Sequence, residues 1–428
     1  MRVGNAEFLA SFVVDNDVDP LPAWYDPGSD GFLGEAGIDD LGSFVADLPT
    51  VFLKVASYRD ELCHLTIADA FDKATHPERL FVGVVQQNGP GDVPCLHSDA
   101  VDLCPPGASP STEAPTLCRW ASHVRLFKQH AKDATGPTFA RHVGDRLYRG
   151  EYFVLQTDAH MTFVTGWDED VIGQYDAAQN DRAILTTYPT EVEGSLDADG
   201  HSLHRTSPVM CATAFTGEGL LRHGSAIEIY PMFGPKAPVL HPFWAAGFSF
   251  SRGHLTVRVP YDCCTPMMFQ GEEIDVAARA WTAGYDMYTP HNSVAFHPYN
   301  RKSKPHMFWE NTARHKGEGM RSAIRVQALI EMAPNPAALA GYDSTDAARY
   351  GLGTVRSVDD FYALFGLDRE HRKVTKDLCR WSTSGQMHRQ LVAFMRPDKK
   401  GIDYAKAFAV LGRDFAPNKG GLLVLKDR

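Results

Sequence analysis

The sequence predicts an α/β protein built around a mostly parallel or mixed central sheet. Three observations predict it. The short continuous apolar runs VFLKVAS, RLFVGVV and EYFVLQ have the length and composition of strands buried on both faces. Between them, ELCHLTIADAFDKA and TFARHVGDRLYRG carry apolar residues at helical spacing. Polar residues of the kind that bind ligands follow directly on the carboxyl ends of the runs, the edge at which open α/β sheets receive ligands.

Residues 1–48 are acidic and rich in Gly, Pro and Asp, and read as an irregular N-terminal extension. A main domain is expected over 49–300. Its first unit is a strand at 51–56 ending in Ser57-Tyr58-Arg59-Asp60, a helix stopped by Pro77, and a strand at 79–88. Residues 89–119 lack periodicity and read as a long loop or insertion. Strands are expected again at HVRLFKQH, EYFVLQTD and AILTTYP, with helices at TFARHVGDRLYRG and GWDEDVIGQYDAA between them. A region of short mixed segments then leads to a helix at GEEIDVAARAWTAG and a strand-like run at NSVAFHPY. A helical continuation follows over 301–369: GMRSAIRVQALIEM is amphipathic, and SVDDFYALFG is a short helix capped by Ser357, with Asp360 three positions on. Residues 370–428 read as a small α+β appendage with GGLLVLKD as a late strand.

Bulk properties narrow the function. A chain of 428 residues with 44% hydrophobic and 22% charged residues buries a large core, which excludes wholesale disorder. The formal charge of -11, from 42 Lys and Arg against 53 Asp and Glu, gives no general attraction for a polyanion, so nucleic acid is not an expected partner. No run approaches the roughly 18 apolar residues of a membrane span. Asp15, Asp17, Asp19 and Asp26 stand where a targeting segment would be basic or apolar, so a cytoplasmic location is expected, with no membrane partner. The eight cysteines are too few for a disulfide scaffold and are expected to be reduced; Cys95, Cys104 and Cys118 cluster without the CxxC spacing of a zinc site.

The most informative chemistry is Asp158-Ala159-His160, at the end of the YFVLQ run. A carboxylate and an imidazole two positions apart converge on one divalent ion where the backbone turns, and such an ion can bridge the phosphates of a leaving nucleoside diphosphate. The competing reading is capping and surface polarity. His297, closing a second apolar run, is the preferred third ligand; His291 is the runner-up, with His254 and His241 behind it, against the alternative of ordinary packed histidines. Ser57, Tyr58 and Arg59 stand where a base, ribose or diphosphate would be received. Arg59 is suited to phosphate, or alternatively ties Asp60 or a helix end. Arg141 is placed to reach back toward the same crevice. PFWAAGFSFSRGH, including Phe248, reads as an aromatic platform for a sugar or acceptor, with a core hairpin explaining it almost as well. Glu272 and Glu273 either hold sugar or acceptor hydroxyls or simply favour the start of a helix.

The ordered set VASYRD, HPERLFVGVVQQN, GPTFARHVGDRLYRGEYFVLQTDAHMTFVTGWD, AILTTYP, PFWAAGFSFSRGH and FQGEEIDVAARAWTAGYDMYTPHNSVAFHPY resembles the cytoplasmic polypeptide alpha-N-acetylglucosaminyltransferases, whose members modify a hydroxyproline. More distantly it resembles the mucin-type polypeptide GalNAc-transferases. The resemblance covers roughly residues 50–300. It implies a GT-A fold, with a nucleotide-binding half over about 49–190 and an acceptor half over about 191–300. It also implies UDP-GlcNAc as donor, Mn2+ or Mg2+, retention of configuration, and a hydroxyl-bearing protein, peptide or glycan as acceptor. Metal ligation then falls on Asp158, His160 and His297. The nucleotide-facing loop falls on Ser57, Tyr58 and Arg59, and the donor-sugar and acceptor side on Phe248, Glu272 and Glu273. A noncatalytic nucleotide-sugar or glycan binder of the same fold and a UDP-sugar hydrolase are the alternatives.

Overall fold

A computed structural model describes residues 13–14, 34–96, 116–301, 305–333 and 339–417. The main sheet contains β1 (Val13–Val14), β2 (Val51–Tyr58), β3 (Leu80–Asn88), β4 (Val124–His130), β5 (Phe153–Asp158), β6 (Ala183–Thr186), β7 (Val239–Leu240), β8 (Phe248–Arg252) and β9 (Asp286–Thr289). The spatial order is β1-β4-β3-β2-β5-β8-β6-β9-β7. All pairs from β1 to β5 are parallel, β8 runs antiparallel to both β5 and β6, and β9 is parallel to β6. From β2 the chain winds outward to β3 and β4, then returns with β5 to the other flank of β2. That reversal is a topological switch point, where the loops leaving two adjacent strands part and open a crevice.

The principal helices are α1 (Gly34–Asp39), α2 (Cys63–Lys73), α3 (Pro137–Arg146), α4 (Trp167–Ala177), α5 (Glu272–Thr282), α6 (Glu318–Leu329) and α7 (Val358–Leu364). Both faces of the sheet are covered, which is why its strands read as unbroken apolar runs. Val51, Leu53 and Val55 of β2 join the larger core with Cys63, Ile67 and Phe71 of α2, while the intervening Phe52 joins a second core with Ala140, Val143 and Leu147. The C-terminal region shares the larger core: Phe361 and Tyr404 pack at a tilt around Trp281, with ring centroids 5.6 Å and 5.0 Å away.

Several expectations are corrected. Residues 34–48 are not irregular: they form α1 and a two-stranded hairpin, and Asp39 pairs with Arg182, Arg258 and Lys400, three cations from distant parts of the chain. Ser357 takes the N-cap position of α7, but its side chain makes no capping hydrogen bond. The segment 242–254 supplies β8, a central strand and not a hairpin, with Phe243, Trp244, Phe248 and Phe250 all buried. Reduced thiols are not what the structure contains: Cys63–Cys95, Cys211–Cys379 and Cys263–Cys264 are disulfides, and Cys118 is bonded as well. The expected strand at GGLLVLKD and Cys104 lie outside the described residues. Among those described, no helix is long and apolar enough to cross a membrane.

Three buried imidazoles, with the half-buried His388, make the fold sensitive to acid. Burial pushes His223 and His241 down to about 3, and His254 and His388 down to about 4. The unfolded chain binds these protons near the ordinary value of 6.5, so stability present above that pH is lost as pH falls toward the folded values. Glu273 and Asp275, raised by burial to about 7 and about 6, act in the opposite sense, as do Asp69 and Asp176, but His142 and His297 are lowered too, so four carboxyls stand against six imidazoles. Thermal unfolding is therefore expected at a lower temperature at about pH 5 than at about pH 7.5, and calorimetric scans at the two values check it.

Candidate active site

Register brings the first site residues together. Ala56 of β2 lies opposite Asp158 of β5, so the two strands end side by side at the switch point. Beyond β2 the chain turns sharply, with Arg59 in the left-handed region at φ 50°, and presents Asp60. Beyond β5 it turns through Ala159 to His160, whose Nδ1 lies 2.8 Å from Asp60 Oδ2. A three-stranded sheet of Thr162–Phe163, Ala295–His297 and Thr190–Glu191 then carries His297 back to the same place. The Nε2 atoms of His160 and His297 face each other at 2.7 Å, and Asp158 Oδ2 lies 3.7 Å from His297 Nε2.

Asp158, His160 and His297 thus offer ligand atoms that all lie within 4.8 Å of one another. The donor set of one carboxylate and two imidazoles suits a divalent cation. The surroundings agree. His297 Nδ1 is buried without a partner among the described residues, and a Cβ on Gly247 would stand 3.1 Å from Asp158 Oδ2, a tight approach that the glycine relieves. Burial opposes ionisation of Asp158, but Arg141, His160 and His297 outweigh it and hold the carboxyl below its usual range. Burial pushes His297 down to about 4, which keeps its nitrogen lone pairs available at neutral pH. Asp60 also stays ionised, since its hydrogen bond from His160 and the pair with Arg301 overcome burial.

Two cavities meet at this triad. One, of about 690 Å³, is lined by Tyr58, Asp60, Gln87, Gly136, Pro137 and the segment 305–308. The other, of about 680 Å³, is lined by Tyr188, Glu191, the stretch from Arg222 to Ala226, Glu272 and Glu273. Arg141, Asp158, Phe269, His297 and Tyr299 belong to both. Arg141 spans the junction, donating to Glu272 Oε1 at 2.5 Å and to Asp158 Oδ1 at 3.0 Å. Glu273 Oε2 accepts from the Tyr188 hydroxyl at 2.5 Å and its Oε1 from the Ala246 amide at 3.1 Å; burial lifts this carboxyl to about 7.

The other sequence candidates fall as follows. Tyr58 lines the first cavity and donates to Glu310 at 3.2 Å. Arg59 does not tie Asp60; it is held by Asp92 at 2.8 Å and Glu310 at 2.7 Å, two carboxylates facing the guanidinium from other loops. Ser57 is buried in β2 and Phe248 in β8, and neither lines either cavity. His291, His254 and His241 stand outside the triad. The residue that sequence reasoning missed is Asp60. Its carboxylate sits at the end of the first strand, a recognisable position, but its partner His160 lies 100 residues away.

With the geometry established, similarity to known proteins is informative. Residues 50–371 match the family described as Glycosyltransferase (GlcNAc), and the chain belongs to that family. No curated protein sequence matches it. Among solved structures it is similar to GalNAc-T7, whose crystal structure holds UDP, GalNAc and Mn2+, at a TM-score of 0.51 and 12% identity over 78% of this chain. The chain spans 60% of that protein's length. That likeness shows the GT-A fold. Two further structures resemble it at lower scores. One is S. aureus TarS in complex with UDP-GlcNAc, at a TM-score of 0.35 and 12% identity over 65% of this chain and 70% of that one. The other is the mannosyltransferase PcManGT from Pyrobaculum calidifontis with GDP-Man and Mn2+, at 0.34 and 14% over 71% and 85%.

If Asp60 orients His160 for metal, replacing it by Asn weakens Mn2+ binding about 10- to 100-fold, the usual effect of losing the carboxylate behind a ligating histidine. Titration of Mn2+ into wild type and Asp60→Asn, read by electron paramagnetic resonance, checks this.

Proposed function

We propose that the chain transfers GlcNAc from UDP-GlcNAc to an acceptor hydroxyl with retention of configuration, using Mn2+ or Mg2+. The observation that carries the reading is the convergence of Asp158, His160 and His297 where the two cavities join. Asp158, His160 and His297 would hold the divalent ion, which when bound would supply Lewis-acid neutralisation of the leaving diphosphate. UDP is assigned to the cavity at the ends of β2 and β3, with Tyr58 against the base, and the acceptor to the cavity walled by Glu272, Glu273 and Tyr188.

In this reading the protein's part is fixed charge and position more than proton transfer. Arg141 is locked between Glu272 and Asp158, so it keeps its place at the junction without reorganising as charge develops. It takes over the phosphate-neutralising role that the sequence suggests for Arg59, whose guanidinium already has two carboxylates. Neither Glu272 nor Glu273 presents a free carboxylate as nucleophile: Arg141 occupies the first, and Tyr188 and the Ala246 amide the second. These contacts favour a single front-face displacement in this reading. The acceptor oxygen bonds to the anomeric carbon as the carbon–oxygen bond to UDP breaks, and the acceptor's proton passes to the leaving diphosphate oxygen. A protein hydroxyl, including hydroxyproline, and a glycan hydroxyl both suit this step.

Replacement of Asp158 by Asn is expected to lower transfer by roughly a hundredfold or more, the scale of losing a central electrostatic contact, and EDTA to abolish it. UDP release measured across a panel of UDP-sugars checks both; chelator-insensitive release, or an active Asp158→Asn variant, would defeat the assignment.

A further inference from the structure

His223 has no part in the chemistry above, yet it lines the acceptor-side cavity. It closes the strand Leu221–His223, which pairs antiparallel with Thr213–Phe215, and its ring packs on Phe243 with centroids 4.4 Å apart. The residue is 7% exposed, and neither ring nitrogen has a hydrogen-bond partner among the described residues. An imidazole buried with both nitrogens unpaired carries an uncompensated desolvation cost and calls for an explanation. The rest of the cavity indicates what could pair it. Phe269 and Tyr299 line the same space and remain 45% and 54% exposed. Tyr299 is fixed in place, donating from its hydroxyl to the Pro189 carbonyl at 3.0 Å. Glu191, Glu228, Glu272 and Glu273 also line the cavity, against Arg222 and against Arg141, which Glu272 and Asp158 already pair, so the lining carries no surplus of free cations to draw an anionic occupant. Aromatic faces beside carboxylates and a neutral imidazole match a sugar ring, which has apolar C–H faces and uncharged hydroxyls around its edge.

We propose that this cavity takes a neutral sugar as the acceptor, with His223 hydrogen-bonding one of its hydroxyls and the rings of Phe269 and Tyr299 covering its apolar face. The proposal rests on the assignment of the donor to the other cavity. It narrows the acceptor to a glycan in place of a bare peptide or a phosphorylated polymer. The sugar hydroxyl that points to the Asp158–His297 junction forms the new glycosidic bond as the bond to UDP breaks, and its proton leaves with UDP.

The test uses the full chain with Mn2+ and UDP-GlcNAc. UDP release is measured with water alone, with methyl glycosides of neutral hexoses, with the same glycosides phosphorylated, and with Ser-, Thr- and hydroxyproline-containing peptides. Neutral glycosides are expected to accelerate release about tenfold or more over water. His223→Phe should raise the ratio of glycoside KM to donor KM about tenfold, the loss of one neutral hydrogen bond. Phe269→Ala, at an exposed position that does not burden folding, should raise the same ratio about fivefold. Acceleration by peptides or phosphorylated glycosides alone would overturn the proposal. So would chelator-sensitive release that no glycoside stimulates, which would leave the donor assignment standing. If no mixture releases UDP in a chelator-sensitive way, the donor assignment fails. Calorimetric titration of the neutral glycosides into wild type and His223→Phe then decides the sugar site by itself: heat of binding lost in the variant supports it, and no binding to wild type overturns it.

Discussion

The parallel pairing of β2 with β5 is the constraint on which the rest of the site depends. It sets Ala56 opposite Asp158, so the two strands release their chains at one point of the sheet edge. Asp60 and His160 leave from neighbouring strand ends and meet at 2.8 Å. That contact gives His160 its orientation: with Nδ1 turned to the carboxylate, Nε2 faces His297. Had the chain continued outward after β4 instead of returning beside β2, the two loops would have been separated by the width of the intervening strands, and no crevice would lie between them.

Around that point the charges are arranged in layers. Asp60 answers to His160 and Arg301, and Asp158 to Arg141, which answers in turn to Glu272. Asp60, Asp158, Arg141 and Glu272 thus each have a partner of opposite sign, and this keeps ionised groups tolerable at low exposure. The ordering is also directional. Ionised Asp158 and the guanidinium of Arg141 occupy the junction of the two cavities, while Glu273, lifted by burial, stands back on the acceptor side. The disulfide Cys63–Cys95 ties the start of α2 to the chain beyond β3.

Much of this was legible in the sequence, for identifiable reasons. Strands buried on both faces leave unbroken apolar runs, and their ends mark the ligand edge, so Asp158 and His160 stand out without a structure. His297 could be picked from eighteen histidines because it, too, ends such a run. What escaped reading depends on contacts between distant residues. The partners of Arg59 lie 33 and 251 positions away, so its neutralisation by Asp92 and Glu310 leaves no local trace. Phe248 looks like a surface aromatic until β8 is seen inserted between β5 and β6. Two of the disulfides join cysteines 32 and 168 positions apart, with no spacing motif to announce them. His223 is inconspicuous in sequence; only burial without a partner draws attention to it.

The central claim is that one cation and one nucleotide share the junction at Asp158, His160 and His297. A crystal of the protein soaked with Mn2+ and UDP, with data collected at the manganese absorption edge, tests it directly. The account predicts a single strong anomalous peak bonded to those three side chains, with the diphosphate beside it and the base against Tyr58. Manganese bound elsewhere, or UDP bound outside the cavity that Tyr58 and Gln87 line, would contradict it.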